Sequence, residues 1–248
     1  AVPRGARRRG VNWTIVRTTL RERMAGRGRW FSLVILFGMP LLWAGLLPAG
    51  TDSFSSMWMN ALLIWLVGAG VIGEEVSSGT ILLVLSRPVS RSEYVFSKWI
   101  ALACATAGVL AVQAVAIAAI AGWRGHPVEA VALVRQVLEA VFRAFGASAV
   151  VVMFSALVPG AKEMSVMMFT WLGGTLLGLL GQWKQWTAVT LGGGEVTSFM
   201  LPALDLGPLF GGGGFTWSGP VGYLSTVTLA LAVAVWWLNR KELSYAGS

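Results

Sequence analysis

The chain has 248 residues, of which 56% are hydrophobic and only 12% charged, and its net charge is +8. Soluble domains carry about a quarter charged residues, so this balance and a mean hydropathy of +0.70 argue against a soluble enzyme, a nucleic-acid-binding module and a disordered chain. A single cysteine, Cys104, cannot form an internal bridge, which excludes a disulfide scaffold.

In chain order, the first feature is basic. Arg4, Arg7, Arg8, Arg9, Arg17, Arg21, Arg23, Arg27 and Arg29 precede Trp30 and account for nine of the 19 basic residues. Basic residues directly before an apolar run mark the cytoplasmic flank of a membrane span and suit anionic lipid headgroups. Within this stretch, Trp13, Val16, Leu20 and Met24 share one helical face, with Thr14, Arg17 and Arg21 beside it. Residues 11–28 therefore read as an amphipathic helix lying in the membrane interface, with Gly26 and Gly28 as a joint. A cleaved signal peptide fits less well, because the apolar stretch that follows is long for an h-region.

A spanning helix needs about 20 mainly apolar residues. Charge-poor windows predict six, at about 30–48, 53–73, 97–122, 137–159, 164–182 and 220–238. The segment 192–214, with its two glycine runs, is too apolar for an aqueous loop. It reads as re-entrant, with the glycines as hinges. The predicted fold is thus an all-α membrane protein, with six transmembrane helices, an N-terminal interfacial helix and a re-entrant segment before the last span. With both termini on one side, that side holds fifteen basic residues and the other holds four: Arg124, Arg135, Arg143 and Lys184. The excess places both termini in the cytoplasm.

Most of the chain is generic membrane sequence, but the stretch joining the second and third spans is not. It runs from Glu74 and Glu75 through Gly79 and Thr80, then the short apolar run Ile81–Leu85, then Arg87, Pro88, Val89, Ser90, Arg91, Tyr94 and Lys98. Ile81–Leu85 is too short to span and suits a surface helix. Ser90 is placed to cap the helix entering the third span, and Lys98 is placed to snorkel toward the interface. Like charges at Glu74 and Glu75 need partners, for which Arg87, Arg91 or a basic residue of the N-terminal helix are available.

This pattern resembles the permease subunit of ABC-2-type transporters, in which an acid ending the second span is followed by G-T, L…L-S-R-P-V-S-R, Y and K. The matching positions are Glu74 or Glu75, Gly79, Thr80, Leu83, Leu85, Arg87, Pro88, Val89, Ser90, Arg91, Tyr94 and Lys98. The resemblance implies that residues 1–248 form a single transmembrane domain of the cell inner (plasma) membrane. It also implies that the 74–96 loop docks on a separate ATP-hydrolysing subunit, in a complex of two permeases (homodimer or paralogue) and two ATPases. No ATP-binding motif occurs in this chain, so ATP and Mg would belong to the partner and the chain itself would be no enzyme. Export is the direction the resemblance implies. On physical grounds, Ile81, Leu82, Leu83 and Leu85 would anchor the docking contact, with Arg87, Arg91 and Glu93 as its polar rim.

Four intramembrane polar residues are candidates for a translocation path: Asn60, Gln113, Glu139 and Arg143. The blander readings are interhelical hydrogen bonds for Asn60 and Gln113, and an i, i+4 ion pair for Glu139 and Arg143. Trp30, Trp58, Trp99, Trp123, Trp183, Trp186, Trp217 and Trp237 lie near predicted span ends, as an aromatic belt requires. His126 reads as a solvated loop residue, and no metal or cofactor set is evident in the chain. An intramembrane enzyme would need paired catalytic groups at membrane depth, and none is evident. The alternative function is a membrane scaffold or assembly subunit without transport activity.

Overall fold

In an apolar solvent every backbone amide must be satisfied inside the chain, which a helix does within its own segment. The computed structural model describes residues 11–25, 27–46, 52–86, 89–158, 160, 162–210 and 216–240, and among them it is helical with no strand. In order the helices are α1 Trp13–Ala25, α2 Arg27–Leu46, α3 Asp52–Gly68, α4 Gly73–Ser77, α5 Thr80–Leu85 and α6 Arg91–Trp123, followed by α7 Ala130–Leu157, α8 Glu163–Lys184, α9 Thr187–Met200, α10 Gly207–Phe210 and α11 Ser218–Arg240. Five stretches are long and apolar enough to cross a membrane: Met59–Ser77, Arg91–Trp123, Ala130–Leu157, Glu163–Lys184 and Ser218–Arg240. The expected span at 30–48 falls on α2, whose apolar part, Leu33–Leu46, is shorter than that criterion.

The core is built where α6, α7 and α11 meet. Its contact residues are small: Ala103 and Ala107 on α6, Ala144, Ala147 and Ala149 on α7, and Ala230 and Ala234 on α11, all buried. Lipid supplies no hydrophobic drive between helices, so close backbone approach and polar contacts must hold them together. Thr106 and Ser148 supply one such contact, with hydroxyls 3.3 Å apart. At Gly146 a Cβ would lie 2.8 Å from the Pro202 carbonyl and 2.9 Å from the Tyr223 ring. Tyr223 passes that point to donate to the Phe142 carbonyl at 2.7 Å.

α8 and α9 form an antiparallel hairpin turned at Gln185, which is left-handed at φ 55°. The turn corrects the reading of the 192–194 glycines as hinges, because all three lie inside α9. A Cβ at Gly193 would sit 2.4 Å from the Gly178 nitrogen, and one at Gly181 would sit 2.5 Å from the Thr190 nitrogen. In apolar surroundings glycine serves close helix packing more than flexibility. α9 has 14 residues, a rise of about 21 Å, so it falls short of a bilayer core of about 30 Å. The second glycine run, 211–214, lies outside the described residues.

α1 also packs differently from its apolar periodicity. The residues it buries are Val16, Thr19 and Arg23, while Trp13 is 71% exposed. The Asn12 amide donates to Ser97 Oγ of α6 at 2.8 Å. The inner face thus mixes Val16 with polar residues, and Arg23 donates to the Ala69 carbonyl just past the end of α3.

Candidate functional site

Between α3 and α4 the helix breaks. Gly70 is left-handed at φ 71°, and residues 70–73 are buried. A break of this kind strands backbone groups, and each buried unsatisfied one costs about 1–3 kcal/mol. Side chains from three other helices take them up. The Gly70 amide donates to Glu163 Oε1 at the start of α8. The Ile72 and Gly73 amides donate to Ser155 Oγ of α7, at 2.9 and 3.0 Å. Arg23 of α1 donates to the Ala69 carbonyl, and the Gly160 amide donates to the Gly73 carbonyl at 2.9 Å. We call this the knuckle.

The motif residues assemble directly beyond it. Arg23 faces Glu74 at 3.9 Å, so a basic residue of the first helix is one partner of this acid. Glu75 receives Tyr94 Oη at 2.6 Å and an ion pair from Lys98, both on α6. Tyr94 and Lys98 are one turn apart, so both reach the same carboxylate. Lys98 is 3% exposed, which corrects the snorkelling expectation: its ammonium turns inward because a carboxylate waits there.

Gly79 is left-handed at φ 74° and turns the chain from α4 into α5. Thr80 begins α5, and its hydroxyl meets Ser78 Oγ at 2.6 Å. In α5 the residues divide by face. Ile81 is 1% exposed and Leu83 is 71% exposed, while Val84 packs on the core. Ile81 is thus corrected from docking anchor to core residue, because Ile81 and Val84 share the inward side at i, i+3 spacing. Arg87 and Pro88 lie outside the described residues, as do the side chains of Leu82 and Leu85.

Ser90 caps α6, its Oγ accepting from the Glu93 amide at 3.1 Å. Arg91 reaches across to donate to the Leu238 carbonyl in the last turn of α11, where helix carbonyls lack internal donors. Arg91 is therefore engaged within the chain.

The four membrane-depth candidates do not converge. Gln113 is 2% exposed and donates to the Leu36 and Phe37 carbonyls of α2 at 3.4 and 3.1 Å. Pro40 lies inside α2 and has no N–H to offer Leu36, so Gln113 fills a vacancy that the proline creates. Replacing Gln113 with Leu is expected to destabilise the chain by about 1–2 kcal/mol, read as a lowered thermal midpoint in detergent. Pro40→Ala in that background should recover part of the loss. Asn60 Oδ1 is buried with no hydrogen-bond partner among the described residues.

Glu139 does not pair with Arg143. It accepts from the Leu206 amide at 3.2 Å and faces Arg135 at 3.8 Å. The irregular backbone after α9 requires an acceptor there, and that bond turns the carboxylate away. Arg143 Nε is buried with no hydrogen-bond partner among the described residues. The adjacent cavity, about 500 Å3, is lined by apolar residues with Asp205, and neither Glu139 nor Arg143 lines it.

Reading the residues alone missed Glu163 and Ser155. Glu163 stands at a span start, where any acid suits the helix dipole, and Ser155 is one of many small span residues. A usable signal was the glycine-rich 68–73 stretch, which demands outside partners for its amides. The family described as ABC-2 family transporter protein matches residues 56–177, from α3 through most of α8. No curated protein matches the chain.

Proposed function

Because residues 56–177 place the chain in the ABC-2 transporter family, we propose that it forms the translocation path of an ABC exporter and is driven through α4 and α5 by a separate ATPase. The family is a membrane component and not the ATPase itself. In this reading the knuckle end of the bundle faces the cytoplasm with both termini, as the basic residues suggest. The complex holds two copies of this chain, or one copy and a paralogue, with two ATPase subunits that carry ATP and Mg.

The observation that carries the reading is the pairing of an exposed Leu83 with a rigid base. Short helices projecting an apolar residue into solvent are ordinary docking elements. Here α5 follows the Gly79 turn directly after the knuckle, the Glu74–Arg23 pair and the Glu75–Tyr94–Lys98 cluster. A push on Leu83 would therefore meet backbone fixed to four helices rather than a loose loop. Arg91 serves α11 in this scheme, so the polar rim falls to Arg87 and Glu93.

The test is co-purification from native membranes of the tagged full chain with a protein bearing a Walker A motif. Leu83→Asp is expected to reduce the recovered ATPase at least tenfold while the chain stays folded, since Leu83 touches little of its own core. Undiminished recovery with Leu83→Asp overturns α5 docking. Absence of any ATPase with the unaltered chain overturns the transporter reading in favour of a scaffold.

A further inference from the structure

We infer that Glu163 is a positioning residue that carries displacement of the α4–α5 segment into α8. The inference rests on the coupling role proposed above for that segment. The observations are geometric. Glu163 is 1% exposed and sits at the first position of α8. It is distant in sequence from Gly70, yet Oε1 accepts the Gly70 amide and lies 3.4 Å from Ser155 Oγ. Ser155 in turn holds the Ile72 and Gly73 amides.

Three amides of the break, those of Gly70, Ile72 and Gly73, are thus held by one carboxylate and one hydroxyl that touch each other. Apart from Met167, which is 1% exposed, and Trp171, whose ring meets Trp65 edge-on at 6.2 Å, α8 turns away from the core. Its Phe169, Leu176, Leu179 and Trp183 are exposed, and its close partner is α9, through Gly174, Gly181 and Gly193. The α8–α9 hairpin is therefore packed as one unit. The grip of Glu163 on Gly70 is the polar contact through which the knuckle can steer it. A caged, left-handed glycine is a suitable handle because its N–H points out of the helix that it ends.

The test uses the full chain in a Cys104→Ala background, with spin labels attached at Ser77→Cys on α4 and Trp183→Cys on α8, both exposed positions. Distances are read in the purified ATPase complex without nucleotide and with ATP, Mg and vanadate. The unaltered Glu163 should give a nucleotide-dependent change in the α4–α8 distance distribution. Glu163→Gln keeps the acceptor and should keep the change. Glu163→Leu should abolish it while ATPase recovery stays within about twofold. Glu163→Asp, which folds with the charge retained but shortened, should reduce it by about half.

A second readout needs no partner. Hydrogen exchange of residues 70–73 in the isolated chain should rise at least tenfold with Glu163→Leu and stay within twofold with Glu163→Gln. Unchanged exchange in the leucine variant overturns the grip. Accelerated exchange with an intact nucleotide-driven distance change overturns the transmission. If the unaltered chain recruits no ATPase, the coupling reading falls and transmission falls with it, while exchange still decides the grip.

Discussion

Lys98→Met is expected to cost about 3–5 kcal/mol of stability, the usual consequence of removing one partner from a buried ion pair. The Lys98 side chain is 4% exposed and that of Glu75 19% exposed, so neither charge is screened as a surface pair would be. Without the ammonium, the Glu75 carboxylate keeps only the Tyr94 hydroxyl from this cluster. The double variant Glu75→Gln with Lys98→Met removes both charges and keeps an acceptor for Tyr94. It should recover more than half of the loss, because replacing a buried pair with neutral groups is often close to neutral. Equilibrium unfolding in mixed micelles, run as a double-mutant cycle, reads both numbers. An additive cycle would show that Lys98 stabilises α6 independently of α4.

That cluster was the most legible part of the chain. In a sequence with so few charges, an acid, a tyrosine and a lysine around a short apolar run stand out. Their convergence follows once α4 meets the first two turns of α6. The helices were legible for the same reason, because apolar runs of spanning length are bounded by charge. What was not legible depended on faces and partners. Six residues of α5 are too few for periodicity to say that Ile81 turns inward and Leu83 outward. The 192–194 glycines looked like loop residues under rules learned in water, whereas Gly193 abuts the α8 backbone. Glu139 has an i, i+4 basic neighbour on both sides, Arg135 and Arg143. The amide of Leu206, from a segment with no periodicity to read, decides between them. Glu163 was hidden because its partner is a backbone amide, which leaves no mark in a sequence.

The second large effect belongs to Gly73. A Cβ there would lie 2.4 Å from the Gly160 carbonyl oxygen and 2.9 Å from that of Val158. Neither obstacle is the end of a flexible side chain that could swing aside. Both are backbone, and the Gly160 amide is at the same time donating to the Gly73 carbonyl at 2.9 Å. Gly73→Val must therefore push the 158–160 turn away from the knuckle. That movement breaks the Gly160 bond and draws Ser155 off the Ile72 and Gly73 amides, since Ser155 lies just before the turn on α7. The buried Ile72 and Gly73 amides and the half-buried Gly160 amide lose their acceptors together, at about 1–3 kcal/mol for each buried one. A total above about 5 kcal/mol reaches the whole stability of a domain at the low end of the usual range. The expected result is loss of folded chain from detergent extracts, seen as an aggregated or proteolysed product. Gly79→Val, whose Cβ would meet nothing within 4 Å, should cost only the strain of a left-handed residue, about 1–3 kcal/mol, and remain folded. The contrast separates a glycine required by its neighbours from one required by its own backbone angles. Equal loss in both variants would mean that the knuckle is not as tightly closed as the 2.4 Å approach implies.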